Sequence, residues 1–191
     1  MTVSDDPLLL FSEKSELYER FLRFVGYPNG LRAYFTQWPL LRAGMRVLDA
    51  GCGTGVVSLA LYDAACRRDI APPTIDAFDL TPAMLQRFRD TLERRRIGGI
   101  DRVQCDVLRL EALPESWTGY DAIVSASMME YLSRESLSTA LRGLRARLAP
   151  GGTLTLCITR RNALMQPLIG WWWNANLYTA AELRVAFRDA G

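Results

Sequence analysis

Histidine is absent from this 191-residue chain, and lysine occurs once, at Lys14. Without histidine the chain lacks the commonest general base at neutral pH and the commonest metal ligand, so no metal centre is expected. The four cysteines, Cys52, Cys66, Cys105 and Cys157, are far apart and form no CxxC pair. That spacing argues against a zinc or disulfide framework and fits a reducing cytoplasm. No apolar run approaches the roughly 20 residues needed to span a bilayer. The N-terminus carries Asp5 and Asp6 with no basic cluster, unlike a secretory signal. A net charge of +2 is too small to argue for nucleic acid or an anionic membrane as partner.

What is present is an ordinary globular composition, 49% hydrophobic and 23% charged, at a length that suits one domain with a real core. Residues 12–25 place Leu17, Phe21, Phe24 and Val25 on one helical face, with Ser12 as cap, and a second short helix is expected over 30–37. Strands are expected at Arg46–Ala50, Thr74–Leu80, Arg102–Cys105, Tyr120–Ala126 and Thr153–Thr159. Helices are expected from Val56 to Cys66, from Thr81-Pro82 to near Gly98-Gly99, from Ser133 to Leu148, and from Thr179 to Ala190. Pro150-Gly151-Gly152 reads as the turn before the fifth strand. Strands alternating with helices predict an α/β fold, a parallel sheet covered on both faces.

The most informative stretch is Val47–Gly55, "VLDAGCGTG", a strand running into a glycine loop. Glycines there let a ligand approach the backbone, and the following helix offers free N–H groups. A dinucleotide fingerprint would need glycine where Val56 stands, and a P-loop would need Gly-Lys-Ser/Thr. Asp49, just before the loop, disfavours a pyrophosphate and suits a cationic or amino-bearing ligand.

These residues resemble the class I S-adenosylmethionine-dependent methyltransferases, whose first motif "VLDAGCGTG" matches nearly letter for letter. Further matches follow in order along residues 40–160, and weakly along 178–191. The resemblance implies a Rossmann-like sheet of strand order 3-2-1-4-5 and S-adenosyl-L-methionine as cofactor, leaving S-adenosyl-L-homocysteine as product. It implies a cofactor site built from Asp49, Ala50, Gly51, Cys52, Gly53 and Gly55 of the loop. Asp79, with Leu80 and Met84 after it, resembles the acidic residue that binds both ribose hydroxyls. Asp106, flanked by Cys105 and Val107, resembles the acid that receives the adenine amino group, and Ser125 ends the strand facing the transferred methyl. Tyr18 lies on an N-terminal helix that in many members folds over the cofactor, so residues 1–40 read as a lid and 41–191 as the core of a single domain.

Methyl transfer from a sulfonium needs alignment more than acid–base chemistry, so the catalytic positions are the least legible. Glu130 and Tyr131 follow the fourth strand, where the family often places catalytic or substrate-touching groups; equally, Glu130 could cap or pair the next helix and Tyr131 pack. Arg160 and Arg161 follow the fifth strand, either holding an acidic substrate or simply solvated. Neither an Asn/Asp-Pro-Pro-Tyr motif nor a metal-binding acid follows the fourth strand, which points to a small-molecule acceptor. Three adjacent tryptophans, Trp171–Trp173, cannot all face one side of a regular element, so one is expected to be exposed or to line a pocket.

The family's sixth and seventh strands have no counterpart here. The fifth strand is then expected as an edge, and three accounts are open: a truncated sequence, a naturally short domain, or an edge covered by a partner chain or a second copy. The rival reading is a cofactor-binding module without activity of its own, supporting an active partner.

Overall fold

The computed structural model describes Arg20, Phe24, and residues 26–159 and 175–191. The expected helix at 12–25 falls almost wholly outside the described residues, as do Tyr18, Arg160, Arg161 and the tryptophan run. Phe24 is helical but 89% exposed, so it does not serve the apolar face expected of it.

Five strands form one parallel sheet in the order β3-β2-β1-β4-β5. They are β1 (Arg46–Ala50), β2 (Thr74–Asp79), β3 (Ile100–Gln104), β4 (Tyr120–Ala126) and β5 (Leu148–Cys157). The central strands are buried on both faces, as mostly apolar runs such as "RVLDA" and "YDAIVSA" demand. Alternate residues feed two cores. Val47, Ala77, Ala122 and Val124 meet α1 (Tyr27–Thr36), α2 (Val56–Arg67) and α3 (Pro82–Arg95) through Leu31, Phe35, Leu61, Phe88 and Leu92. Leu48, Phe78 and Ile123 meet α4 (Arg134–Arg145) and α5 (Ala180–Asp189) through Leu137, Leu141, Leu144 and Ala186. Among the described residues, no helix is long and apolar enough to cross a membrane, and no cluster of side chains could hold a metal.

The bounds of β1 and β4 fall where the apolar runs begin and end. Other elements differ from expectation for identifiable reasons. Helix α1 begins at Tyr27, with Pro28 in its first turn, and its Leu31 and Phe35 are fully part of the core. Strand β3 starts at Ile100 rather than Arg102, because pairing with Ile75 recruits Ile100 and Asp101 into the ladder. Helix α4 stops at Arg145, since Leu148 already pairs with Tyr120. Pro150-Gly151-Gly152 is therefore an irregularity within β5: pairing resumes only at Thr153, opposite Ala122. Helix α5 carries a full capping box, with Thr179 accepting from the Glu182 N–H while the Glu182 carboxylate accepts from the Thr179 N–H.

Candidate functional site

In the order 3-2-1-4-5 the chain reverses direction across the sheet between β1 and β4, and a crevice opens outside the carboxyl ends of the strands at that point. A cleft of about 560 Å³ lies there, within the range of small-molecule sites. Its floor is the glycine loop after β1. Its walls are the ends of β2, β3 and β4, the first turns of α1, and one face of α3.

The loop's shape follows from what packs on it. Gly51 has φ 73°, and a Cβ there would overlap the Met128 side chain. Gly55 has φ 82°, and a Cβ there would overlap the Phe88 ring, which is completely buried. Both glycines are thus required twice, by backbone conformation and by close approach. Gly55 also forms the N-cap of α2 without any side-chain cap. One N–H of the first turn of α2, that of Ser58, is satisfied from β1. Asp49 Oδ2 accepts from the Ser58 N–H at 3.0 Å and from Ser58 Oγ at 2.6 Å.

Asp49 is wholly buried beneath the loop rather than on the cleft wall, and burial pushes its carboxyl up to about 7. Its Oδ1 and the Ser125 Oγ are buried with no hydrogen-bond partner among the described residues. Ala50, Gly55 and Ser125 also lie behind the cleft surface, whereas Gly51, Cys52 and Gly53 line it.

Asp79 closes β2 and faces the cleft. The Gly53 N–H donates to its Oδ2 at 2.8 Å, and the Thr81 N–H donates to its Oδ1 at 2.8 Å. Burial lifts this carboxyl above the usual range, against the pull of the two N–H groups. The glycine loop and the end of β2 are thereby clamped together by one carboxylate, whose remaining lone pairs can still accept. Leu80 and Met84 continue the same wall. Asp106, with Cys105 and Val107, forms the wall at the end of β3, and Asp106 Oδ1 accepts from the Leu108 N–H at 2.9 Å, holding the turn.

After β4 the two candidate residues part company. Tyr131 lines the cleft. Glu130 is 2% exposed and does not; its carboxylate accepts from the Thr159 N–H at 2.8 Å and from Thr159 Oγ1 at 3.3 Å. Its backbone carbonyl accepts from the Asn176 N–H at 2.6 Å. Glu130 thus ties the turn after β4 to the chain leaving β5 and to the segment before α5.

Several further residues line the cleft: Tyr27 of α1, Ser127 and Met128 after β4, and Arg87 and Arg94 of α3. The α3 residues could have been found from helical spacing from Met84, and Ser127 and Met128 lie in the stretch "YDAIVSASMMEYL" that resembles the family's methyl-facing loop; Tyr27 could not.

Comparison with known proteins agrees with this geometry. Residues 47–152 match the family described as a methyltransferase domain. The chain is 36% identical over 109 residues to the malonyl-[acyl-carrier protein] O-methyltransferase of Halorhodospira halophila, covering 57% of this chain and 33% of that protein. It is 30% identical over 152 residues to the demethylmenaquinone methyltransferase of Clavibacter sepedonicus, covering 78% of this chain and 56% of that protein. The chain therefore spans between a third and somewhat over half of the length of these curated relatives. Its fold superposes on the YcgJ protein of Bacillus subtilis with a TM-score of 0.67 at 16% identity, covering 85% of this chain and 68% of that one. With the family match over more than half its length, the five-stranded parallel sheet and the glycine loop at the switch point, the chain belongs to the methyltransferase domain family of class I S-adenosylmethionine-dependent enzymes.

Proposed function

We propose that this chain binds S-adenosylmethionine in the cleft above β1, β2 and β4 and transfers its methyl group to a small-molecule acceptor. The observation that carries this reading is the Asp79 clamp, a cleft-facing carboxylate held by the Gly53 and Thr81 N–H groups beside a loop in which Gly51 and Gly55 have no room for a Cβ. Asp79 is suited to accept from the two hydroxyls of a ribose. Asp106 and the Val107 backbone are suited to an adenine edge. Gly51, Cys52 and Gly53 leave space for the amino-acid end, while Asp49, Ala50, Gly55 and Ser125 support that surface from behind. Leu80, Met84 and Cys105 supply apolar contact. Tyr18 belongs to the same reading as a lid residue, and so does the division of one domain into residues 1–40 and 41–191.

When bound, S-adenosylmethionine supplies an electrophilic methyl on a sulfonium. The protein's part is to hold the donor, exclude water and align an acceptor in line. Burial of the Glu130 carboxylate against Thr159 supports a positioning role for it rather than proton transfer. The two relatives, named for malonyl-[acyl-carrier protein] and for demethylmenaquinone, support a small-molecule or carrier-borne acceptor over nucleic acid.

The test is transfer of a labelled methyl from S-adenosylmethionine into fractions of a cell extract. Label in the low-molecular-weight fraction supports the reading. Label in nucleic acid, or in protein in a form that hydroxylamine cleavage of thioesters does not release, contradicts the acceptor class, and binding of the cofactor with no transfer to any fraction favours the non-catalytic module.

A further inference from the structure

The floor of the cleft carries an unbalanced charge. Asp49 lies wholly buried under the glycine loop, in register between Ala77 of β2 and Val124 of β4. One carboxyl oxygen, Oδ2, is held by Ser58; the other, Oδ1, has no hydrogen-bond partner among the described residues. A fully buried acid ordinarily has a basic side chain beside it, because an isolated buried charge is costly. Here the charged group that acts on Asp49 is a second carboxylate, Asp79. Asp79 is itself held by the N–H groups of Gly53 and Thr81, on the cleft side of the loop. Burial, and then the fields of Asp49 and Asp79, push the Cys52 thiol well above its ordinary range, with Arg102 opposing. Both carboxyl groups are therefore felt within the loop.

The arginines of the cleft do not balance this charge. Arg32 of α1 pairs with Asp63 at 3.3 Å, and Arg94 of α3 donates to Thr91 Oγ1 at 2.9 Å. Among the described residues no arginine bonds Asp49 or Asp79. The other elements packed around Asp49 present uncharged groups, Ser58 from α2 and Val124 from β4. A cation resting on the loop thus meets two carboxyl groups and no like charge bonded to either.

We infer that Asp49 is a specificity-determining residue that reads charge through the cleft floor, favouring the cationic sulfonium of S-adenosylmethionine over the uncharged thioether of S-adenosylhomocysteine, and more strongly as pH rises. The inference rests on the cofactor reading of the cleft. With no cation above it, burial pushes the Asp49 carboxyl up to about 7, so the group is partly protonated at neutral pH. A cation in the cleft favours the charged form, and Asp49 then releases its proton to solvent. It takes a proton back once the cleft holds the thioether. At lower pH Asp49 must lose a proton before it can attract the cation, which weakens binding of the sulfonium and leaves binding of the thioether unaffected. The product is thereby disfavoured against the cofactor in the same cleft.

The experiment is calorimetric titration of the chain with S-adenosylmethionine and with S-adenosylhomocysteine, each at about pH 5.5 and about pH 7.5, below the ordinary titration of an α-amino group. Two buffers of different ionisation heat count the protons released. The expected result is a preference for S-adenosylmethionine that grows about fivefold from the lower to the higher pH, the size expected for a cation several ångströms from a half-titrated carboxyl. Proton release should accompany S-adenosylmethionine and be absent with S-adenosylhomocysteine. Asp49→Asn should make the preference independent of pH and remove the proton release. A preference in the unaltered chain that does not change with pH, or equal proton release with both ligands, overturns the inference alone, whether or not the variant folds. So does a pH dependence that survives in Asp49→Asn, which would assign the role to Asp79. If neither ligand binds, the cofactor reading fails and the inference falls with it.

Discussion

The two sides of the cleft are held together by opposite means. On the β1–β2 side, one carboxylate and backbone N–H groups make the site: Asp79 joins Gly53 to Thr81, and Asp49 joins β1 to the first turn of α2. Everything there lies within about 35 residues of sequence. On the β4 side, side chains from distant segments meet: Ser127 with Tyr27, Glu130 with Thr159, Met128 over Gly51. A site made of backbone and one carboxylate leaves a readable pattern, because only glycine and an acid serve. A site made of side chains from separate elements leaves none, and it is where acceptor specificity is free to vary.

The comparison can be broken most forcefully at Gly55. Alanine there meets both a left-handed backbone and the buried Phe88 ring. Gly55→Ala should cost about 2–4 kcal/mol of stability, measured by urea unfolding. A change below about 0.5 kcal/mol would show that the Phe88 contact is not tight. Next in size, Asp79→Ala should weaken S-adenosylhomocysteine binding by about 1.5–3 kcal/mol with the fold intact. Unchanged affinity in a folded variant would move the ribose site elsewhere.

Asp49 adds a pH dependence to the same side. Its folded pKa, raised from 3.8 to about 7, lies above the unfolded one. The folded protein therefore holds a proton that the unfolded chain has released. Its contribution is fully present below about pH 4 and is lost as pH rises towards 7, at up to ~1.4 kcal/mol per pH unit. Asp49→Asn should flatten the stability profile across this window, read as melting temperature against pH. An identical profile would mean that Asp49 is already charged when folded. The smallest effect is expected on the other side: Glu130→Gln keeps one acceptor for Thr159, so it should cost about 1 kcal/mol of stability and leave cofactor affinity within about twofold. A large loss of affinity would place Glu130 in the site rather than behind it.

What was legible follows the same division. The strands β1 and β4 could be read to the residue, because a strand buried on both faces is a short, mostly apolar run, here broken only by Asp49 in β1 and by Asp121 and Ser125 in β4. The Thr179 cap and its Glu182 partner could be read because capping chemistry is local. Pro150-Gly151-Gly152 misled, since local turn chemistry does not reveal that Leu148 has already joined the sheet. In the site, Gly51, Cys52, Gly53, Asp79, Leu80, Met84, Cys105, Asp106, Val107 and Tyr131 line one cleft; it was the resemblance to the methyltransferases, motif by motif, that had pointed to them. Asp49, expected beside the ligand, is instead spent on Ser58, because residue parity along β1 points it into the α2 face of the sheet. Tyr27 had no signal, and Ser127 was marked only as part of "YDAIVSASMMEYL", which resembles the family's methyl-facing loop. Their meeting depends on how α1 docks, and Ser127 owes its left-handed backbone to the tertiary fold.

The central claim is that the glycine loop and Asp79 form a site for S-adenosylmethionine. Calorimetric titration of the chain with S-adenosylhomocysteine, beside NADH as the rival nucleotide ligand, tests it most directly. The account predicts micromolar binding of S-adenosylhomocysteine, lost in Asp79→Ala, and no measurable binding of NADH. A folded chain that ignores S-adenosylhomocysteine, or that binds NADH as tightly, would contradict it.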